Sequence, residues 1–94
     1  MKPEIKVIEE TVEILAKRDG RKCQRCGEVG YLTVDHIIPM AVLGLFGIER
    51  RESYKMYSAL QLLCRPCNAM KRDRIDWLNP KSKKILLALL AKIK

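Results

Sequence analysis

One histidine, four cysteines and an aspartate–asparagine pair carry most of the chemistry this sequence can do. Cys23 and Cys26 form one C-x2-C pair and Cys64 and Cys67 a second, with 37 residues between the pairs. Two such knuckles are the usual way to build a tetrahedral thiolate shell for Zn²⁺. Each turn presents two sulfurs at one point, and two turns close the shell. Two disulfides, as in small secreted domains, are a competing use of four cysteines, and a redox-active pair is another. The spacer is longer than the about 15–20 residues of a simple zinc ribbon. Something is therefore inserted between the knuckles, and it includes the run Asp35-His36-Ile37-Ile38-Pro39. A zinc ion at the knuckles would tie the segment before this run to the segment after Leu60–Cys64. It would also fix Asn68, the residue that follows Cys67.

His36 is the only histidine in the chain. Its ordinary pKa of about 6.5 lets it accept a proton near neutral pH. Taken singly, these residues have ordinary structural uses. A histidine at a strand end makes one hydrogen bond, an aspartate caps or faces solvent, and an asparagine sits in a helix without a ligand.

The elements that must position them follow from local patterning. Ile5, Ile8, Val12 and Leu15 recur at steps of three and four, which predicts a helix over the first 20 residues. Pro3 suits its first turn, Glu4 its positive end, Lys17 and Arg18 its negative end, and Gly20 its stop. Tyr31–Val34 has the aromatic and β-branched composition of a strand, which Pro39 ends. Leu60–Cys64 predicts a second strand, and Pro66 suits the first turn of a helix that carries Asn68. Asn79 and Pro80 read as the cap and first residue of a last helix, wide in its apolar face and basic at both ends. Its apolar face is expected to pack against the first helix; a dimer interface is the other use, so monomer and homodimer both stay open. Residues 40–57 are harder to place: Gly44 and Gly47 break the first half, and Ile48–Tyr57 suits a short exposed helix.

Charge narrows the partner. The net charge is +8, of which residues 1–63 carry +1 and residues 64–94 carry +7. A basic half on a small domain points to a polyanion, most often nucleic acid. A chain this short has a modest core and often needs a staple such as a metal. The sequence Met1–Glu10 has acidic residues where a secretory segment would be apolar, and Ile85–Ala91 is too short to span a membrane. A soluble, cytoplasmic protein with no membrane partner is expected.

Taken in order, the runs Cys23–Gly27, Leu32–Pro39 and Leu60–Lys71 resemble the HNH endonuclease family, whose members share a ββα-metal core. The resemblance covers Lys22 to about Arg74. It implies a ββα-metal core in 22–74, interrupted by the 40–57 insertion; with the helix in 1–20 and the basic amphipathic helix in 79–94 read from patterning, an α+β fold in one domain is expected. The resemblance also implies a metal-dependent DNA endonuclease in which His36 is the general base. Asp35 and Asn68 would ligate a divalent cation, Mg²⁺ or Mn²⁺, since two oxygen ligands with open positions suit hard cations that keep waters. Zn²⁺ on the four cysteines would be structural. Duplex DNA would be held by Arg65, Lys71, Arg72 and Arg74, with Lys71 at a position where the family commonly has lysine.

The chain departs from the family at position 59. Ala59 stands where the middle motif residue is usually asparagine, so no side chain there can tether the inter-strand loop or set the histidine. A backbone carbonyl at 59 could still hold the His36 ring, with Ser58 or Gln61 as candidate tethers. The alternative function is therefore a zinc-stabilised nucleic-acid-binding module with impaired or no cleavage. Residues 40–57 have three readings: a helical excursion of their own, contact with DNA through Arg50, Arg51 and Lys55, or packing on the helices outside the core.

Overall fold

The computed structural model describes residues 3–92, with side chains from residue 6 onward. The expected contributions of the Glu4 and Ile5 side chains, and of residues 93–94 in the last helix, lie outside the described residues. Helix α1 spans Pro3–Asp19. Strand β1, Leu32–His36, pairs antiparallel with strand β2, Leu60–Cys64, with Asp35 opposite Gln61 and Thr33 opposite Leu63. Two one-turn helices, α2 (Met40–Leu43) and α3 (Arg50–Ser53), lie between the strands. Helix α4, Arg65–Lys71, follows β2 directly, and α5, Pro80–Ala91, ends the described chain. This is a small α+β fold. Among the described residues no helix is long and apolar enough to cross a membrane.

The sheet works because its two faces differ. Alternate strand residues point to opposite sides. Leu60, Leu62, Leu32 and Val34 pack on Leu15, Val12 and Ala16 of α1, which buries the Val12 and Leu15 end of the stripe legible in the sequence. Thr33 and Asp35 face the other way, toward Asn68 and Lys71 of α4. Asn68 and Lys71 are three apart on the helix and so share its inner face. The sheet is thus apolar toward α1 and polar toward α4, and the polar side carries Asp35 and Asn68.

Helix α5 begins as expected, with the Asn79 side chain accepting from the Lys81 amide at 3.0 Å and Pro80 as first residue. Its packing partner differs from the expectation. Leu89, Ile85 and Leu86 join Ile38, Leu43, Met40, Val42, Phe46, Ile48 and Met56 in a second apolar cluster, and α1 belongs to the first. The reason is that the insertion is apolar enough to need its own cover, while the face that α1 buries is already closed. The apolar residues of 40–57 are therefore packed structure, while Arg50 and Arg51 stay exposed. The end of the segment is tied to α1, where Arg18 donates to the carbonyls of Tyr57 and Leu60 at 2.6 and 2.8 Å.

Candidate active site and metal cluster

The first knuckle is a tight turn in which the Gly27 amide donates to the Cys23 carbonyl at 2.9 Å. Gly27 has φ +80°, a left-handed conformation that costs glycine little. Gln24 donates its amide to the Leu62 carbonyl, which docks the knuckle on β2. The second knuckle is the β2–α4 junction: Cys64 is the residue before α4, and Cys67 lies in the first turn, with Pro66 where its missing N–H is harmless.

The four sulfurs all lie within 4.8 Å of one another. Cys26 and Cys64 are 3.7 Å apart, close to the edge of about 3.8 Å expected for a tetrahedron with Zn–S bonds of about 2.3 Å. That separation is far beyond a disulfide bond, and all four cysteines are free thiols. Burial opposes the Cys23 thiolate, but N–H bonds from Cys26, Cys64 and Arg25 outweigh it and bring the thiol down to about 6. Cys67, hydrogen-bonded to Cys64 and facing the other sulfurs, is pushed up to about 12. Four thiolates this close repel, and a divalent cation is what lets them ionise together. The donor set and its geometry fit zinc.

Across the sheet from α1, Asp35 is buried at 5 % exposure. Its Oδ2 accepts from Gln61 Nε2 at 2.9 Å and its Oδ1 accepts from Lys71 Nζ at 3.2 Å. Burial raises the carboxyl pKa, and the Gln61 hydrogen bond and Lys71 charge offset only part of that. An ionised carboxylate has about four lone-pair sites, so two remain for a further cation. Asn68 donates Nδ2 to Thr33 Oγ1 at 2.7 Å, and Thr33 in turn donates to the Leu63 carbonyl. With its amino group held, Asn68 has its carbonyl oxygen left as a ligand atom.

Lys71 differs from its expected role. The resemblance implies a phosphate contact, but Lys71 is buried at 6 % exposure between Asp35 and the His36 carbonyl, to which it donates at 2.8 Å. It neutralises the site from below instead of reaching outward. Removing one partner of a buried ion pair strands the other charge, at a cost of about 3–5 kcal/mol. Lys71→Met is expected to lower stability by about 3 kcal/mol, the low end because Asp35 can take up a proton. Urea unfolding checks this; a midpoint equal to that of the unaltered chain would mean the pair contributes nothing.

His36 is half-buried. Its Nε2 lies 2.7 Å from Ser53 Oγ, and its ring meets Tyr54 at 5.2 Å and a 56° tilt. Burial, then the nearby charges of Arg50 and Lys71, lower its pKa to about 4, so the imidazole is neutral at neutral pH. The expected holder of the ring was the carbonyl at 59. That carbonyl instead accepts from the Ile37 amide at 2.9 Å, and Ala59 is buried with its methyl inward. The ring belongs to Ser53.

One shallow cleft is lined by Asp35, His36 and Asn68 together, with Arg50, Arg72 and Asp73 around it. Arg72 has φ +52° and ψ −137°, the one non-glycine residue with positive φ among the described residues. Such strain costs on the order of 1–3 kcal/mol and collects at functional sites. It ends α4 and turns residues 72 and 73 to the cleft. Arg74 lines a neighbouring groove with Arg25, Met70 and Trp77, and Arg65 sits 5.6 Å over the Tyr31 ring. Sequence reasoning missed Ser53 and Asp73 as site residues and placed Arg50 only as a general DNA contact. No motif marks Ser53, and only contact with His36 reveals it.

A family model described as HNH endonuclease matches residues 23–74, more than half of the chain. Neither a curated protein nor a solved structure matches it. The match runs from the first zinc-type knuckle to the end of the strained turn after α4, which takes in every residue of the cleft, and the chain belongs to the HNH endonuclease family.

Proposed function

We propose that this protein is a metal-dependent DNA endonuclease, with His36 as general base, Asp35 and Asn68 as ligands of Mg²⁺ or Mn²⁺, and Zn²⁺ as a structural ion on Cys23, Cys26, Cys64 and Cys67. The observation that carries this reading is the shared cleft: a neutral imidazole, a carboxylate with spare lone pairs and an amide oxygen line one concavity rimmed by arginines. Phosphodiester hydrolysis needs those parts: a proton acceptor for water, and positive charge where the phosphate gains negative charge. A bound hard cation supplies charge for the phosphate and leaving oxygen.

The chain's own groups do the rest. Arg50 and Arg72 hold the phosphate in the cleft by charge-assisted hydrogen bonds. His36 takes the proton of the attacking water. Asn68 is oriented by Thr33, and Asp35 is held by Gln61 and Lys71 before substrate arrives. Arg65, Arg74 and the lysines of α5 extend the positive surface for duplex DNA, chiefly through phosphates. No base-reading element is evident among the described residues, so specificity is expected to be low.

The test is nicking of supercoiled plasmid by the zinc-loaded chain with and without Mg²⁺ or Mn²⁺. Conversion to open circles that depends on the added ion is the expected result. Tight, salt-sensitive plasmid binding with no cleavage in either ion would instead establish the non-cleaving binding module.

A further inference from the structure

Ser53 is the last residue of α3, has no exposure to solvent, and lies outside the family's motif runs. Its hydroxyl has one proton to donate and two lone pairs to accept with. The proton goes to the Arg50 carbonyl within the same helical turn. Ser53 Oγ therefore meets His36 Nε2 as an acceptor, and the ring nitrogen must carry the hydrogen. In a neutral imidazole only one nitrogen is protonated, so Nδ1 keeps the lone pair. Nδ1 has no protein partner among the described residues, and no buried side-chain nitrogen or oxygen there lacks a partner, so Nδ1 is open to solvent.

Helix α3 is well fixed for this task. Glu49 and Glu52 form a reciprocal capping box at its start. The Ser53 amide donates to the Glu49 carbonyl at 3.0 Å. Tyr54, the next residue, supports the ring face. The same one-turn helix brings Arg50 to the cleft. Position 59, by contrast, is committed to Ile37.

We propose that Ser53 is the positioning residue for His36, holding Nε2–H so that Nδ1 is the atom that takes the proton of water. The insertion thus supplies from α3 the ring anchor that Ala59 lacks. The tautomer follows from the geometry alone; its consequence for rate rests on the nuclease reading above.

Because His36 is the only histidine, nitrogen-15 NMR of the zinc-loaded chain at neutral pH reads one imidazole. A single tautomer with Nε2 protonated and Nδ1 bare is expected. A ring protonated on Nδ1 would overturn the proposal without any variant being made. Ser53→Ala should give mixed tautomers and a kcat for plasmid nicking lower by about 10–100-fold, as for partners that orient ligand histidines, with KM nearly unchanged. Ser53→Thr keeps the hydroxyl and should restore the single tautomer. Ser53→Ala with the tautomer and kcat both intact would also sink the proposal. Absence of nicking in every variant, with Nε2–H intact in the unaltered chain, would remove the nuclease reading and leave the tautomer assignment standing.

Discussion

Stripping the metal from the four-cysteine cluster is expected to unfold the protein. The cluster joins the turn at Cys23–Cys26 to the β2–α4 junction, and three of its four cysteines are among the buried apolar residues. Without a cation, four thiols within 4.8 Å are a weakly hydrogen-bonded polar knot in the place where a larger domain would have hydrocarbon. Structural zinc binding is worth about 10–16 kcal/mol at neutral pH, against a total stability of about 5–15 kcal/mol for a typical domain. Metal removal therefore exceeds what the rest of a short chain can offset. A strong chelator, or Cys64→Ser, should abolish the cooperative loss of helical circular dichroism on heating, and the unaltered protein should contain about one zinc per chain. A reducing agent alone should change nothing, since no disulfide is present. A metal-free protein with an unchanged melting transition would overturn the structural role of the cluster.

How much of this was legible beforehand depends on how local each signal is. The knuckles, the two strands and the Asn79–Pro80 start of α5 depend on neighbours in sequence, and residue type and spacing are enough for them. The partner of α5 was not legible. An apolar face states that it must be buried but not against what, and the 40–57 segment contributed more apolar surface than its glycine breaks suggested. Lys71 was placed on the correct helix but on the wrong side of its environment. Its spacing from Asn68 puts both on one face, and whether that face looks at DNA or at β1 depends on the Asp35 carboxylate beneath it. Ser53 had no signal at all. It lies in the charged run Arg50-Arg51-Glu52-Ser53-Tyr54-Lys55, which suits an exposed helix, and it is buried only because α3 folds over the end of β1.

Replacing His36 by alanine should reduce plasmid cleavage by about 10²–10⁴-fold, the usual worth of a positioned acid or base. Three features put the effect on rate and not on binding. The ring is half-buried and held by Ser53 and Tyr54, so it offers no charge to DNA. Burial and the charges of Arg50 and Lys71 keep it neutral at neutral pH, which is the form that accepts a proton. Removing it leaves Asp35, Asn68, Arg50 and Arg72 in the cleft, so the groups proposed for phosphate and cation stay in place. His36→Ala should therefore bind plasmid within a few-fold of the unaltered chain, hold its zinc, and turn over slowly. Imidazole added to the solution should recover part of the rate, because the substitution opens a ring-sized space between Ser53 and Tyr54 that ends in the cleft. Cleavage by His36→Ala within about threefold of the unaltered protein would mean that a different group activates the water. Asp73, the second carboxylate on the cleft, would then be the next residue to replace.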